Sequence, residues 1–254
     1  MNPQTLQATF SCLLHDIGNL VSRAGEDNRN HSEAGYDFLA ALLPGGAWRD
    51  VLGCVRWHHA NGVRQVILEG KNLAYIVCAA DSIATAADLR EIAGEDSNAS
   101  RSLPLYSIFT HLNGEHPDMA VEPAIQNGRF RMPGRQPPVQ PARYQELLRT
   151  LRQGVGRLEL SPAWMDSLLC VLESCTSTVP AGACGSEKPD ISLFDHLKVT
   201  AALGACISEY LLNQGITDYR TYLFEHEEAF RADEVFLLYT ADLSGIQKFI
   251  YTVA

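Results

Sequence analysis

His15 is directly followed by Asp16 in "SCLLHDIGNLVSR", a stretch whose apolar residues recur at helical steps. Consecutive helical residues point about 100° apart, so both can border one pocket if the helix runs along its rim. A carboxylate can bridge two divalent ions while the adjacent imidazole ligates one of them. Ions about 3.5–4 Å apart activate a water and stabilise both oxygens of a phosphoester displacement. Such a site needs further histidines and aspartates on neighbouring helices, and the sequence offers His31, His58, His59 and Asp81. An ionised Asp81 within "NLAYIVCAADSIATAADLR" is costly unless a metal, an arginine or a helix N-terminus pairs with it. A metal is the preferred partner. Taken singly, His31 also suits a helix N-cap, and one of His58 and His59 suits a solvated surface. The ordered set His-Asp, His, His-His, Asp on four successive helices is what points to metal.

Those helices are legible from periodicity. Leu13, Leu14, Ile17, Leu20 and Val21 form one stripe, "HSEAGYDFLAALLP" stops at Pro44, and "WRDVLGCVRWHHA" turns Val51, Leu52 and Val55 inward. The helix around Asp81 is apolar on two faces and therefore expected to be central. From Gly94 to Arg143 the chain changes to turn- and linker-like composition, with "LPLYSIFTHL" and "GRFRM" short enough for strands or extended loop. Helices resume at "YQELLRTLRQGVGRL" and "SPAWMDSLLCVLESC", the latter with Ser161 as the expected N-cap before Pro162. A long amphipathic helix in "DISLFDHLKVTAALGACISEYLLNQG" ends at Gly215. Val235 to Tyr239 then read as a strand, followed by a turn at Ser244 and Gly245 and a helix from Ile246. One strand cannot satisfy its own backbone, so a sheet partner elsewhere is required, and a fragment of a longer chain is the preferred reading.

With 254 residues, 46% hydrophobic and 20% charged, the chain has the composition of a globular protein with a sizeable core. A net charge of −10 excludes a broad electrostatic grip on nucleic acid, so positive charge for such a substrate would have to come from metal or a partner. The seven cysteines form no C-x-x-C pair. Cys12, Cys54, Cys78, Cys170 and Cys206 read as buried thiols, whereas Cys175 and Cys184 flank a Pro/Gly loop where a metal contact is the minor alternative. A reducing cytoplasm fits this usage, and neither a leader nor a membrane-spanning run is seen.

"LLHDIGN", "HSEAGYDFL", "RWHHANG" and "AADSIA" resemble the successive motifs of HD-domain phosphohydrolases of the two-metal kind. That resemblance implies one more histidine, which in the family stands on a helix before the HD pair. No histidine precedes His15 here. His196, in "SLFDHLKVTAALGACI", has surroundings similar to that first-helix motif, which implies a circularly permuted order with the first helix placed last. A capping or interface role is the alternative for His196. The resemblance implies one ion held by His15, Asp16, Asp81 and His196. The second falls to Asp16, His31 and His58, with His59 beside them. Mixed imidazole and carboxylate ligands suit Mn²⁺ or Ni²⁺, with Co²⁺ or Fe²⁺ next and Mg²⁺ less well.

The permuted HD segment, "PDISLFDHLKVTAALGA" and "DLSGIQKFIY" together resemble the large subunit of type III CRISPR effector complexes, closer to the Csm than to the Cmr branch. The implied fold is a mainly α permuted HD domain followed by the beginning of an α+β ferredoxin-like Palm domain. HD helices would occupy 1–93, an irregular insertion 94–143, closing HD helices 144–215, and a linker with the first Palm strand–helix unit 216–254. The implied activity is metal-dependent cleavage of single-stranded DNA, catalysed around His15 and Asp16 and switched on by target RNA in a complex with guide RNA and other effector subunits. No GGDD sequence occurs, so the family's cyclic oligoadenylate synthesis is not expected of this chain. Asn19 stands where the family commonly has lysine, a departure that bears on rate more than on metal binding. Asp195 is a candidate acceptor to orient His196. Arg56, Arg64 and Lys71 suit either a guide for a nucleic-acid backbone or a solvated face. Two alternatives remain: a stand-alone phosphohydrolase for nucleotides or cyclic dinucleotides, and a degenerate HD assembly platform.

Overall fold

The computed structural model describes residues 1–43, 45–66, 68–87, 101–112, 119–126, 132–135, 139–182, 188–242 and 244. Among them helices dominate. α1 (Pro3–Leu14) begins with Pro3 in its first turn and with the Asn2 side chain accepting from the Gln4 backbone N–H, so an orphan donor is satisfied at the start. The helix was expected to run on through Val21. It instead breaks at His15–Ile17, where backbone bonds shorten to three-residue steps: Ile17 to Leu14, Asn19 to Asp16 and Leu20 to Ile17. α2 (Gly18–Arg23) then leaves in a new register.

Asn30, not His31, caps α3 (His31–Leu42), its side chain accepting from Glu33 N–H, and His31 becomes the first helical residue. After a 3₁₀ turn at Gly46–Trp48 comes α4 (Arg49–Trp57). The expected single helix through "WRDVLGCVRWHHA" ends at Trp57, with His58 as its C-cap and His59 as the N-cap of α5 (Ala60–Gln65). α6 (Ala74–Ala87) carries Asp81 and buries Ala74, Ile76, Val77, Ala80 and Ala84.

The insertion contributes a two-stranded antiparallel sheet, β1 (Leu105–Tyr106) with β2 (Ala120–Val121), and a single turn α7 (Phe109–Leu112). Most of "GRFRM" and all of "GEDSNAS" lie outside the described residues. α8 (Pro141–Val155) packs on α9 (Met165–Thr176). Ser161 occupies the expected capping position but makes no side-chain cap bond, because a 3₁₀ turn at Pro162–Trp164 intervenes.

α10 (Leu193–Gln214) is 22 residues long and ends at Gly215 as expected. It packs against α1 and α6, so the last long helix completes the bundle begun by the first. Close approach is possible because Gly204 lacks a side chain: a Cβ there would lie 2.5 Å from Cys12 Sγ. A polar seam fixes the register of the pair. Thr5 donates to Glu209 at 2.6 Å, Thr5 and Ser208 hydroxyls lie 3.1 Å apart, and Tyr219 donates to Gln4 at 2.7 Å. Thr5 and Ser208 are buried, where an unmade hydrogen bond costs about 1–3 kcal/mol.

After a π-helical segment (Arg220–Glu225) and α11 (Glu227–Ala232), the expected strand Val235–Tyr239 is not formed. Its residues are extended coil, with Leu237 92% exposed, because no partner edge lies alongside it among the described residues. The helix expected from Ile246 lies outside them. Cys12, Cys54 and Cys78 are buried as expected, whereas Cys170 and Cys206 are exposed: their apolar sequence neighbours sit on other faces of α9 and α10. No helix among the described residues is long and apolar enough to cross a membrane.

Candidate metal centre

Seven of the side chains singled out from the sequence converge into two groups. Asp16, His31, His58 and His59 form one, and His15, Asp81 and His196 the other, with the ligand atoms of each group within 4.8 Å of one another. The elements explain the convergence. The break after α1 puts His15 and Asp16 in consecutive turn positions, aimed at different groups from one rim. The α4–α5 junction does the same for His58 and His59. α6 and α10 bring Asp81 and His196, 115 residues apart in sequence, to 3.1 Å, Nε2 to Oδ1.

Asp16 stands between the groups. Its Oδ1 lies 3.2 Å from His31 Nε2, 3.4 Å from His58 Nε2 and 3.7 Å from His15 Nε2. Its Oδ2 lies 3.7 Å from His196 Nε2. Asp81 Oδ1 is 3.5 Å from His15 Nε2 and accepts from the Thr85 hydroxyl at 3.2 Å.

Two of the rings are locked from behind. His15 Nδ1 lies 2.8 Å from the Cys12 carbonyl and His58 Nδ1 2.7 Å from the Val55 carbonyl, each three residues back. A carbonyl only accepts, so each Nδ1 carries the proton and each Nε2 presents a lone pair to the cluster. Those Nε2 atoms and Asp16 Oδ1 are buried without a hydrogen-bond partner. Three such orphaned acceptors side by side are a costly arrangement that a cation relieves. His31 Nε2 and His59 Nε2 approach to 2.6 Å, a contact that also needs a proton or cation between them.

Electrostatics agree with the geometry. Burial works to raise the Asp16 pKa, but the His15 and His31 rings, with the close approach of His31 and His58, hold it well below the usual carboxylate range. Asp81 is likewise held low against its burial by the facing His15 and His196 rings. Burial lowers the His58 pKa, and burial with the neighbouring His58 and His31 rings pushes His59 down to about 3. The carboxylates are thus ionised and these imidazoles neutral, the protonation states that metal ligation demands. The residues present fit divalent ions.

Other expectations fare differently. Asp195 is exposed and accepts from the hydroxyl of Ser192, the N-cap of α10, at 2.6 Å, so it braces the cap and does not orient His196. Cys175 is buried and belongs to neither group, and Cys184 lies outside the described residues. Asn19 donates to the Ala181 carbonyl at 3.3 Å, tying the HD turn to the loop before α10. The Arg56 guanidinium sits over the Tyr36 and Trp57 rings, 4.9 Å from each, and Arg64 over Phe224. Thr85 and the Cys12 and Val55 carbonyls were not anticipated. A hydroxyl four residues after Asp81 is readable from sequence, whereas a carbonyl acceptor leaves no signature in residue type.

Residues 4–86 match the HD domain family. That stretch includes six of the seven convergent residues and stops far short of His196, which reaches the cluster from outside it. Over its whole length the chain is 34% identical to the CRISPR system single-strand-specific deoxyribonuclease Cas10/Csm1 (subtype III-A) of Mycobacterium tuberculosis, covering 35% of that protein. The same holds at 30% identity and 34% coverage for the Streptococcus thermophilus protein of that name. The chain belongs to the Cas10/Csm1 family. It spans about a third of the length of these relatives. Solved Cas10/Csm1-family structures agree. A Csm1–Csm4 subcomplex of the type III-A CRISPR-Csm interference complex superposes with a TM-score of 0.61 at 28% identity, over 85% of this chain and 29% of that one. Csm1 of T. onnurineus gives 0.58 at 27% identity, over 86% and 30%.

Proposed function

We propose that this chain is the metal-dependent HD nuclease domain of a type III-A CRISPR effector large subunit, cleaving single-stranded DNA. The observation that carries the reading is Asp16, one carboxylate shared between two groups of histidine and aspartate ligands. Cas10/Csm1 relatives named as single-strand-specific deoxyribonucleases support the substrate class. Inner ligands would be His15, Asp16, Asp81 and His196, and outer ligands Asp16, His31, His58 and His59. Divalent ions there supply an activated water and offset charge developing on the phosphodiester oxygens. Nitrogen-rich ligation favours Mn²⁺ or Ni²⁺ over Mg²⁺.

The chain's own residues prepare that chemistry. The Cys12 and Val55 carbonyls hold two rings with their lone pairs inward, and Thr85 orients Asp81. Without cations the ionised Asp16 and Asp81 would repel a phosphate, and ions held by these residues would offset that charge. His31 and His59 are more open to solvent than His15 and His58, which supports an approach of the DNA from the outer side. In the cell the domain would act beside Csm4-type subunits and a guide RNA, with target RNA as the switch; relatives crystallised with Csm4 support the first of these.

The test is the double variant His15→Ala/Asp16→Ala. Cleavage of single-stranded DNA in Mn²⁺ falls to background while helical circular dichroism is retained. Cleavage at the parental rate would place the activity elsewhere. A parent that binds no transition metal would leave only an assembly role.

A further inference from the structure

The second residue after Asp16 touches a neighbouring helix with its backbone. A Cβ built on Gly18 would lie 1.8 Å from the His31 carbonyl oxygen, 2.7 Å from its carbon and 2.8 Å from Gly35 N. From the other side, a Cβ on Gly35 would meet Gly18 N at 3.1 Å and Val55 Cγ1 at 3.5 Å. The start of α2 therefore rests on the first turn of α3 with no side chain between them. Three outer ligands are tied to this contact. Asp16 precedes Gly18 by two residues, His31 is the residue touched, and Val55 holds His58 through its carbonyl. All three atoms nearest to a Cβ at Gly18 belong to α3, whereas Asp81 and His196 stand on α6 and α10.

We propose that Gly18 is a positioning residue: its bare contact with His31 sets the spacing of Asp16, His31 and His58 and thereby the affinity of the outer group for its ion, leaving the inner group alone. The inference rests on the two-ion reading above. Its physical basis is the mismatch of scales. A methyl at Gly18 must drive the helices apart by at least about 1.2 Å, since real Cβ contacts essentially never fall under 3.0 Å. Ligand distances in metal sites tolerate about 0.2 Å. His31 would lose its place 3.2 Å from Asp16 while His15, Asp81 and His196 keep theirs.

A graded alanine series on the full 254-residue chain tests this, with Mn²⁺ titration followed by calorimetry and ions counted by native mass spectrometry. Gly53→Ala, where a Cβ meets nothing within 4 Å, keeps two ions at parental affinity. Gly35→Ala, tight but able to yield, weakens one ion by about tenfold and leaves the other. Gly18→Ala retains one ion and its helical circular dichroism. Two ions at parental affinity in both Gly18→Ala and Gly35→Ala would overturn the proposal, as would loss of both ions together from a folded variant. If Gly18→Ala does not fold, Gly35→Ala decides by the same criterion. A parent that binds no ion removes the nuclease reading itself, and the spacer role with it.

Discussion

The two ligand groups share Asp16 yet differ in construction. The inner one draws on the break after α1 and on α6 and α10, with the His15 and His196 side chains wholly covered and Asp81 15% exposed. The outer one draws on the helix junctions and opens to solvent, with His31 16% exposed and His59 more open than His58. Counting Asp16 in both, the inner group offers two carboxylates and two imidazoles, the outer one carboxylate and three imidazoles. Burial slows exchange and fixes geometry, whereas openness admits substrate. The softer outer set also favours Ni²⁺ or Co²⁺ more than the inner set does. In the proposed two-ion centre, the inner ion would be closed in and the outer one exchangeable.

The largest effect that separates the groups is expected from His196→Ala. It removes an inner ligand and reaches the outer set only through Asp16, so one of two Mn²⁺ ions binds at least about 100-fold more weakly in calorimetry, a larger loss than an orienting residue gives. Equal weakening of both ions would erase the distinction. Stepwise chelation comes next: EDTA withdraws the outer ion first, and simultaneous release by metal counting would mean the groups exchange alike. His59→Ala is milder, since three outer ligands remain; about tenfold weaker binding of one ion, with the inner affinity unchanged, is the outcome to look for. Thr85→Val is the smallest. It deletes one hydrogen bond to Asp81, worth about 0.5–1.5 kcal/mol, and weakens the inner ion about three- to tenfold. A change at the outer ion would show that Thr85 works by another route.

Much of this was legible before any coordinates. The order His15-Asp16, His31, His58-His59, Asp81 was readable because metal ligands are chemically rare in apolar helices. His196 was reachable only through resemblance to a family motif. Nothing local to "FDHLKVT" says which helix it meets. The helix break at His15–Ile17 was not legible, because a shift of hydrogen-bond register leaves no mark in apolar spacing. The Val235–Tyr239 pattern reads as a strand, but pairing depends on a partner edge far away in sequence or beyond it. Cys170 and Cys206 misled for a related reason: apolar neighbours in sequence are not neighbours on a helix face. Gly18 gave no warning that its missing side chain is a spacing device, since glycine after a turn has many ordinary uses.

The seam of Thr5, Ser208 and Glu209 has a consequence for synthesis. During translation α1 is made long before α10 and waits for the intervening chain before α10 can cover it. Cys12, packed against Gly204 in the finished bundle, lacks that cover on the ribosome until then. A message cut before codon 196 yields a polypeptide with all four outer ligands but without the histidine that closes the inner set. Chain order thus leaves the cluster of convergent side chains incomplete in any product that terminates before His196.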